Sequence, residues 1–228
     1  MTKNYRLTIH SQERANAVNS RLNTQMKFLV EIDKLKSVLR QSYLINGKQR
    51  ENSAEHSWHV AMMALVLSEY ADNEINLVHV VKILLVHDIV EIDAGDTYCY
   101  DDTGLLSQME REKKAADRIF GLLPEDQAHE MFALWEEYEA HVTPEAKFAA
   151  ALDRLMPLLH NYYTEGKSWQ EHGITREQVI NRNACISEGS EALWEYALSI
   201  INKSVSQGYL AATWGRKGLK ENNDVQAS

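Results

Sequence analysis

Cysteine is scarce: the 228 residues hold only Cys99 and Cys185, too few for a disulfide framework, and free thiols fit a reducing compartment. Basic charge is also short. Against 33 Asp and Glu stand 24 Lys and Arg, a net charge of −9 at pH 7, which is the wrong sign for a general nucleic-acid or membrane-surface binder. An anionic ligand must therefore be met by local cations, against the overall field. No apolar run approaches the length of a membrane span, and the start Met1-Thr2-Lys3-Asn4-Tyr5-Arg6 lacks the apolar core of a signal peptide, so a cytoplasmic protein is expected. Strand-period alternation of useful length is missing too, as is any internal repeat.

What is present is helical periodicity. Residues 1–20 are polar and read as a loosely held arm, residues 21–214 as one all-α domain, and 215–228 as a polar tail. Met26, Leu29, Ile32, Leu35 and Leu39 mark a first amphipathic helix from about Asn23 to near Gly47, with Arg40 close to its end as a solvated residue. Asn52 with Glu55 forms a capping box that opens a second helix, about Ser53 to Tyr70; a third runs from about Ile75 to Glu91. Residues 106–120 are charge-dense and read as a solvated helix face, with Lys113 or Lys114 as a second candidate cation. Pro124 starts a helix to about Ala140, and Thr143-Pro144 caps one that reaches Tyr163 and is kinked at Pro157. After the aromatic loop Lys167 to Gly173, a capping box of Thr175 and Gln178 and a start at Ser190 give the last two helices.

Three of these helices carry an anomaly. The run Val80-Val81-Lys82-Ile83-Leu84-Leu85-Val86-His87-Asp88-Ile89-Val90-Glu91 is apolar on most sides yet holds an imidazole and two carboxylates. Unpaired buried charge costs several kcal/mol, so such groups need a proton, a partner or a cation. A lone His-Asp pair would be explained by a core histidine bonded to a carboxylate. However, His56 falls on the stripe of Val60, Met63 and Leu67, and Asp153 on the stripe of Ala146, Ala149, Met156 and His160. Each helix thus turns a ligand-type side chain inward: His56, His87 with Asp88, and Asp153. Two imidazoles and two carboxylates suit one divalent ion, with Mn, Co, Mg, Zn, Ni and Fe all admissible. His59 is the one spare histidine close by in sequence, which speaks against a two-metal centre.

The order His, His-Asp, Asp resembles the HD superfamily of metal-dependent phosphohydrolases. The strings Ala54-Glu55-His56-Ser57, His87-Asp88-Ile89-Val90-Glu91, Gly95-Asp96, Leu122-Leu123-Pro124-Glu125, Leu134-Trp135-Glu136-Glu137-Tyr138-Glu139 and Ala146-Lys147-Phe148 are similar to its 5'-deoxynucleotidase branch. The likeness covers roughly residues 25–165. It implies a single-domain helical fold, a phosphomonoesterase acting on nucleoside 5'-monophosphates, metal held by His56, His87, Asp88 and Asp153, and catalytic roles for Glu91 and Asp96. It implies a homodimer and a small phosphorylated substrate, while the net charge of −9 argues against a nucleic acid polymer or a membrane as partner. It also implies that Arg40, in Leu35-Lys36-Ser37-Val38-Leu39-Arg40, contacts the substrate phosphate. There is one departure: where the deoxynucleotidases carry a tryptophan that crowds the sugar, this chain has Gln41. Two other readings stay open: a phosphodiester or pyrophosphate hydrolase on the same ligands, and a non-catalytic metal- or nucleotide-binding helical module.

Overall fold

A computed structural model describes residues 18–98, 100 and 102–213, without the side chains of 102–106. Most of the expected arm, all of the expected tail and Cys99 lie outside the described residues. The arm ends earlier than residue 20, because α1 is already helical over 18–31.

The helix expected to reach Gly47 stops well short of it. A 3-10 turn, Ile32–Ser37, follows α1, and then come two antiparallel strands, β1 (Leu39–Tyr43) and β2 (Arg50–Asn52). Asn46-Gly47, with Gly47 at φ +67°, forms the turn between them. Leu39 pairs with Asn52 and Tyr43 with Arg50, so Arg40, Gln41 and Ser42 all stand opposite the single residue Glu51. Arg40 is therefore not a solvated residue at a helix end. Its side chain is 12% exposed, on a bulged strand that turns inward.

Asn52 ends β2 and caps α2 (Ser53–Leu67), its side chain accepting from the Glu55 N–H at 2.9 Å in the expected capping box. Such a cap is worth about 1 kcal/mol and here fixes where His56 enters the core. The third helix is broken into three parts: α3 (Leu77–Val86), a 3-10 turn (His87–Val90) and α4 (Glu91–Ala94). His87 Nδ1 donates to the Leu84 carbonyl at 2.8 Å, the acceptor that a continuing α-helix would have offered to the Asp88 N–H. Gly95, at φ +75°, ends α4 and lets the chain double back.

The charged helix α5 (Asp102–Phe120) leaves Lys113 and Lys114 exposed, Lys114 pairing with Glu110 at 2.6 Å. α6 (Glu125–Ala140) starts one residue after Pro124. α7 (Pro144–Tyr163) is the axis of the domain and packs against α2, α3, α6 and β1. It is buried around most of its circumference, through Ala146, Phe148, Ala149, Ala150, Ala151, Leu152, Leu155 and Met156. Each large apolar side chain so buried contributes roughly 1.5–3 kcal/mol. The helix continues through Pro157, which has no N–H to offer the Asp153 carbonyl.

The loop expected at 167–173 is mostly the short helix α8 (Lys167–His172). α9 (Arg176–Asn183) opens with the Thr175–Gln178 capping box and is followed by α10 (Ile186–Gly189) and α11 (Glu191–Ser206). α10 and α11 also pack on α7. Gly189 touches α7 so closely that a Cβ there would stand 2.4 Å from the Lys147 carbonyl oxygen.

Candidate metal centre and phosphate site

The inward residues of α2, the 3-10 turn and α7 meet at one point. His56 is fully buried, His87 4% exposed, Asp88 7% and Asp153 5%. His56 Nε2 lies 2.8 Å from Asp153 Oδ1; His87 Nε2 lies 3.0 Å from Asp88 Oδ1 and 3.8 Å from Asp153 Oδ1. Ligand atoms of His56, His87 and Asp88 all fall within 4.8 Å of one another. Because the Leu84 carbonyl can only accept, His87 carries a proton on Nδ1 and turns Nε2 into the site, where it is buried and lacks a hydrogen-bond partner. Tyr138 donates to Asp153 Oδ2 at 2.9 Å, with its ring centroid 4.7 Å from that of His87. Two converging imidazole nitrogens and two carboxylates, with His87, Asp88 and Asp153 held by bonds on their far sides, fit a divalent ion.

Arg40 reaches this centre from β1. Its Nη1 donates to Asp88 Oδ2 at 2.8 Å and lies 3.9 Å from both Glu91 Oε1 and Asp96 Oδ1; Nη2 is 3.7 Å from Asp153, and Nε 3.8 Å from Glu51. Ser53 donates to Glu91 at 2.6 Å, tying α2 to α4. Burial and the Asp88 charge push the Glu91 carboxyl well above the usual carboxylate range. Burial likewise raises Asp96, aided by Asp88 and Asp153 and opposed by Arg40. Asp153 goes the other way: burial would raise it, but the hydrogen bond from His56 and the charges of Arg154 and His56 hold it well below its ordinary value. For His87 burial opposes protonation, yet the charges of Asp88 and Asp153 hold its pKa up at about 9.

Beside these groups lies a cavity of about 410 Å³, lined by Arg40, Asp88, Glu91 and Asp96 and also by Tyr98, Tyr100 and Trp169. The segment 167–173 thus has a place: α8 supplies Ser168 and Trp169 to the cavity, while Tyr43 donates to Glu171 at 2.9 Å. All seven residues singled out from the sequence converge here. Three others do so without having been singled out. They are Tyr138 on α6, Ser53 at the start of α2, and Glu51 on β2, which is 1% exposed. Glu51 is the residue opposite the β1 bulge, so a recognised hairpin would have found it.

A helical domain that joins a histidine, a His-Asp pair and a distant aspartate in this way belongs by class to the metal-dependent phosphohydrolases. The family is shown directly: the HD domain model matches residues 32–194, and the chain belongs to the HD domain family. It is similar to a Danio rerio protein named 5'-deoxynucleotidase HDDC2, 35% identical over 150 residues that cover 64% of this chain and 74% of the relative. The human protein of that name is 36% identical over 135 residues, 59% of this chain and 65% of the relative. A solved structure from Magnetospirillum magnetotacticum, described as a predicted metal-dependent phosphohydrolase, superposes with a TM-score of 0.81 at 55% identity, covering 84% of this chain and 96% of that one.

Proposed function

We propose that this phosphohydrolase removes the phosphate from nucleoside 5'-monophosphates. The observation that carries the reading is the meeting of Arg40, Glu91 and Asp96 with His87, Asp88 and Asp153 at the wall of one cavity, with His56 2.8 Å behind Asp153. His56, His87, Asp88 and Asp153 would hold the ion, which when bound supplies Lewis acidity toward a phosphoryl oxygen and lowers the pKa of water. Arg40 binds the phosphate and offsets charge that spreads over its oxygens during transfer. Glu91 and Asp96, both raised by burial, exchange protons with the attacking water and the leaving oxygen. Each such role contributes on the order of 10²–10⁴-fold in rate. Tyr98, Tyr100 and Trp169 give the nucleoside an aromatic wall.

The test is release of inorganic phosphate from deoxyribonucleotides, ribonucleotides and sugar phosphates with Mn²⁺, Co²⁺ or Mg²⁺. Turnover of the nucleoside monophosphates is expected. A chain that binds metal and frees phosphate from none of them refutes the reading. The proposal extends to a cytoplasmic homodimer. Its supports are the free thiol of Cys185 and the exposed apolar side chains Leu22, Met26 and Leu29 on α1, which a second copy would cover. Sedimentation of the full chain checks the dimer.

A further inference from the structure

We propose a second divalent-cation site, built from Glu51, His59 and His160 on the side of His56 that faces away from Asp153. Ligand atoms of these three residues all lie within 4.8 Å of one another, as compact a grouping as that of His56, His87 and Asp88. Glu51 is 1% exposed and His160 2%. His160 Nδ1 is buried without a hydrogen-bond partner and points toward Glu51 Oε2 at 3.6 Å. His59, three residues along α2 from His56, is half-buried and faces His160 edge-on, with ring centroids 6.3 Å apart and planes at 73°. The half-buried ring leaves an ion a path from solvent. Neutral imidazole nitrogens and one carboxylate suit a borderline transition metal such as Co²⁺ or Zn²⁺.

Sequence spacing offered only His59 as a spare ligand; the fold brings His160 to it, three residues beyond Pro157 on α7 and far in sequence from α2 but not in space. The two sites meet at Glu51. Its Oε2 accepts from Ser42 at 3.1 Å and lies 3.4 Å from His56 Nδ1, so a cation drawing on Glu51 alters the support of His56.

The experiment counts ions, independently of turnover, so it can succeed or fail apart from the phosphatase reading. Tag-free, full-length protein is stripped with chelator and titrated with Co²⁺, followed by calorimetry, visible absorption and elemental analysis. The wild-type chain is expected to take two equivalents. His59→Ala, at a half-buried position that tolerates truncation, takes one, and His160→Gln does the same. Asp88→Ala keeps the equivalent that His59→Ala loses. A wild-type chain that stops at one equivalent overturns the proposal, as does a second equivalent that survives His59→Ala.

Discussion

Replacing Arg40 with glutamine separates its two tasks, balancing buried charge and binding phosphate. The side chain is 12% exposed and donates at 2.8 Å to Asp88, with four more carboxylates 3.7–3.9 Å away. Removing one partner of a buried charge set costs about 3–5 kcal/mol, because the carboxylates left behind lose their counter-charge. At about 2–4 °C per kcal/mol for a domain of this size, that is a fall of roughly 6–20 °C in Tm. The fall should be largest in chelator and smaller in millimolar Mn²⁺, since the ion neutralises carboxylates that Arg40 also serves. For activity, a charge-assisted contact of about 1.5–3 kcal/mol predicts a roughly ten- to hundred-fold lower kcat/KM on every phosphate substrate. Thermal melts of Arg40→Gln with EDTA and with Mn²⁺, beside phosphate release on several nucleotides, measure both effects. Equal Tm losses in the two conditions would refute the shared-charge argument, and an unchanged kcat/KM would refute the phosphate contact.

Glu91→Gln should keep its metal by elemental analysis and lose turnover at least a hundred-fold; normal rates would return Glu91 to a purely packing role. If Gln41 has replaced a sugar-crowding side chain, the enzyme should cleave AMP and dAMP within about ten-fold of one another, under ~1.4 kcal/mol of discrimination, and Gln41→Trp should slow the ribonucleotide selectively. Strong rejection of AMP by the wild-type chain would show that another residue excludes it. Glu139, at the cavity, is pushed up to about 7 by burial and by the charge of Glu112. The unfolded chain ionises this group near its ordinary 4.5, so between 4.5 and about 7 folding loses stability as pH rises, and above about 7 the penalty levels off at no more than ~3 kcal/mol. Glu139→Gln should therefore melt higher than wild type at pH 8 and draw level toward pH 4.5, as scanning calorimetry would show. A constant difference across that range would contradict it.

The convergence of His56, His87, Asp88 and Asp153 was legible because all four sit on interrupted apolar stripes, and a carboxylate among alanines, as at Asp153, is conspicuous wherever the helix lies. The fold class was legible for the same reason, from the periodicity of α2, α3 and α7. The hairpin was not. Leu39 continues the spacing of Met26, Leu29, Ile32 and Leu35, so the stripe ran on through a strand of only five residues. Asn46-Gly47 was the signal to heed, since that dipeptide favours a hairpin turn over a helix end. The break at His87 could not be read from propensity, because it arises when the imidazole takes the Leu84 carbonyl from the backbone. Glu51 and His160 gave no local sign of meeting. They lie on β2 and α7, and only the docking of α7 against α2 puts them together.

Asp153 is 97 residues from His56 and on the helix around which the domain is assembled. During synthesis the chain exposes His56, His87 and Asp88 first; at about 5–20 residues per second, Asp153 follows Asp88 by roughly 3–13 s. Through that interval a nascent chain offers a divalent ion three donors and no α7 to hold them in register. Tight retention of the ion has to wait for the last donor, and the ion then stabilises only chains that have docked it. If the proposed centre holds its ion, metal supply becomes a checkpoint on biogenesis: starvation for the ion would show first as a shorter lifetime of newly made protein, before any loss from the pool already folded.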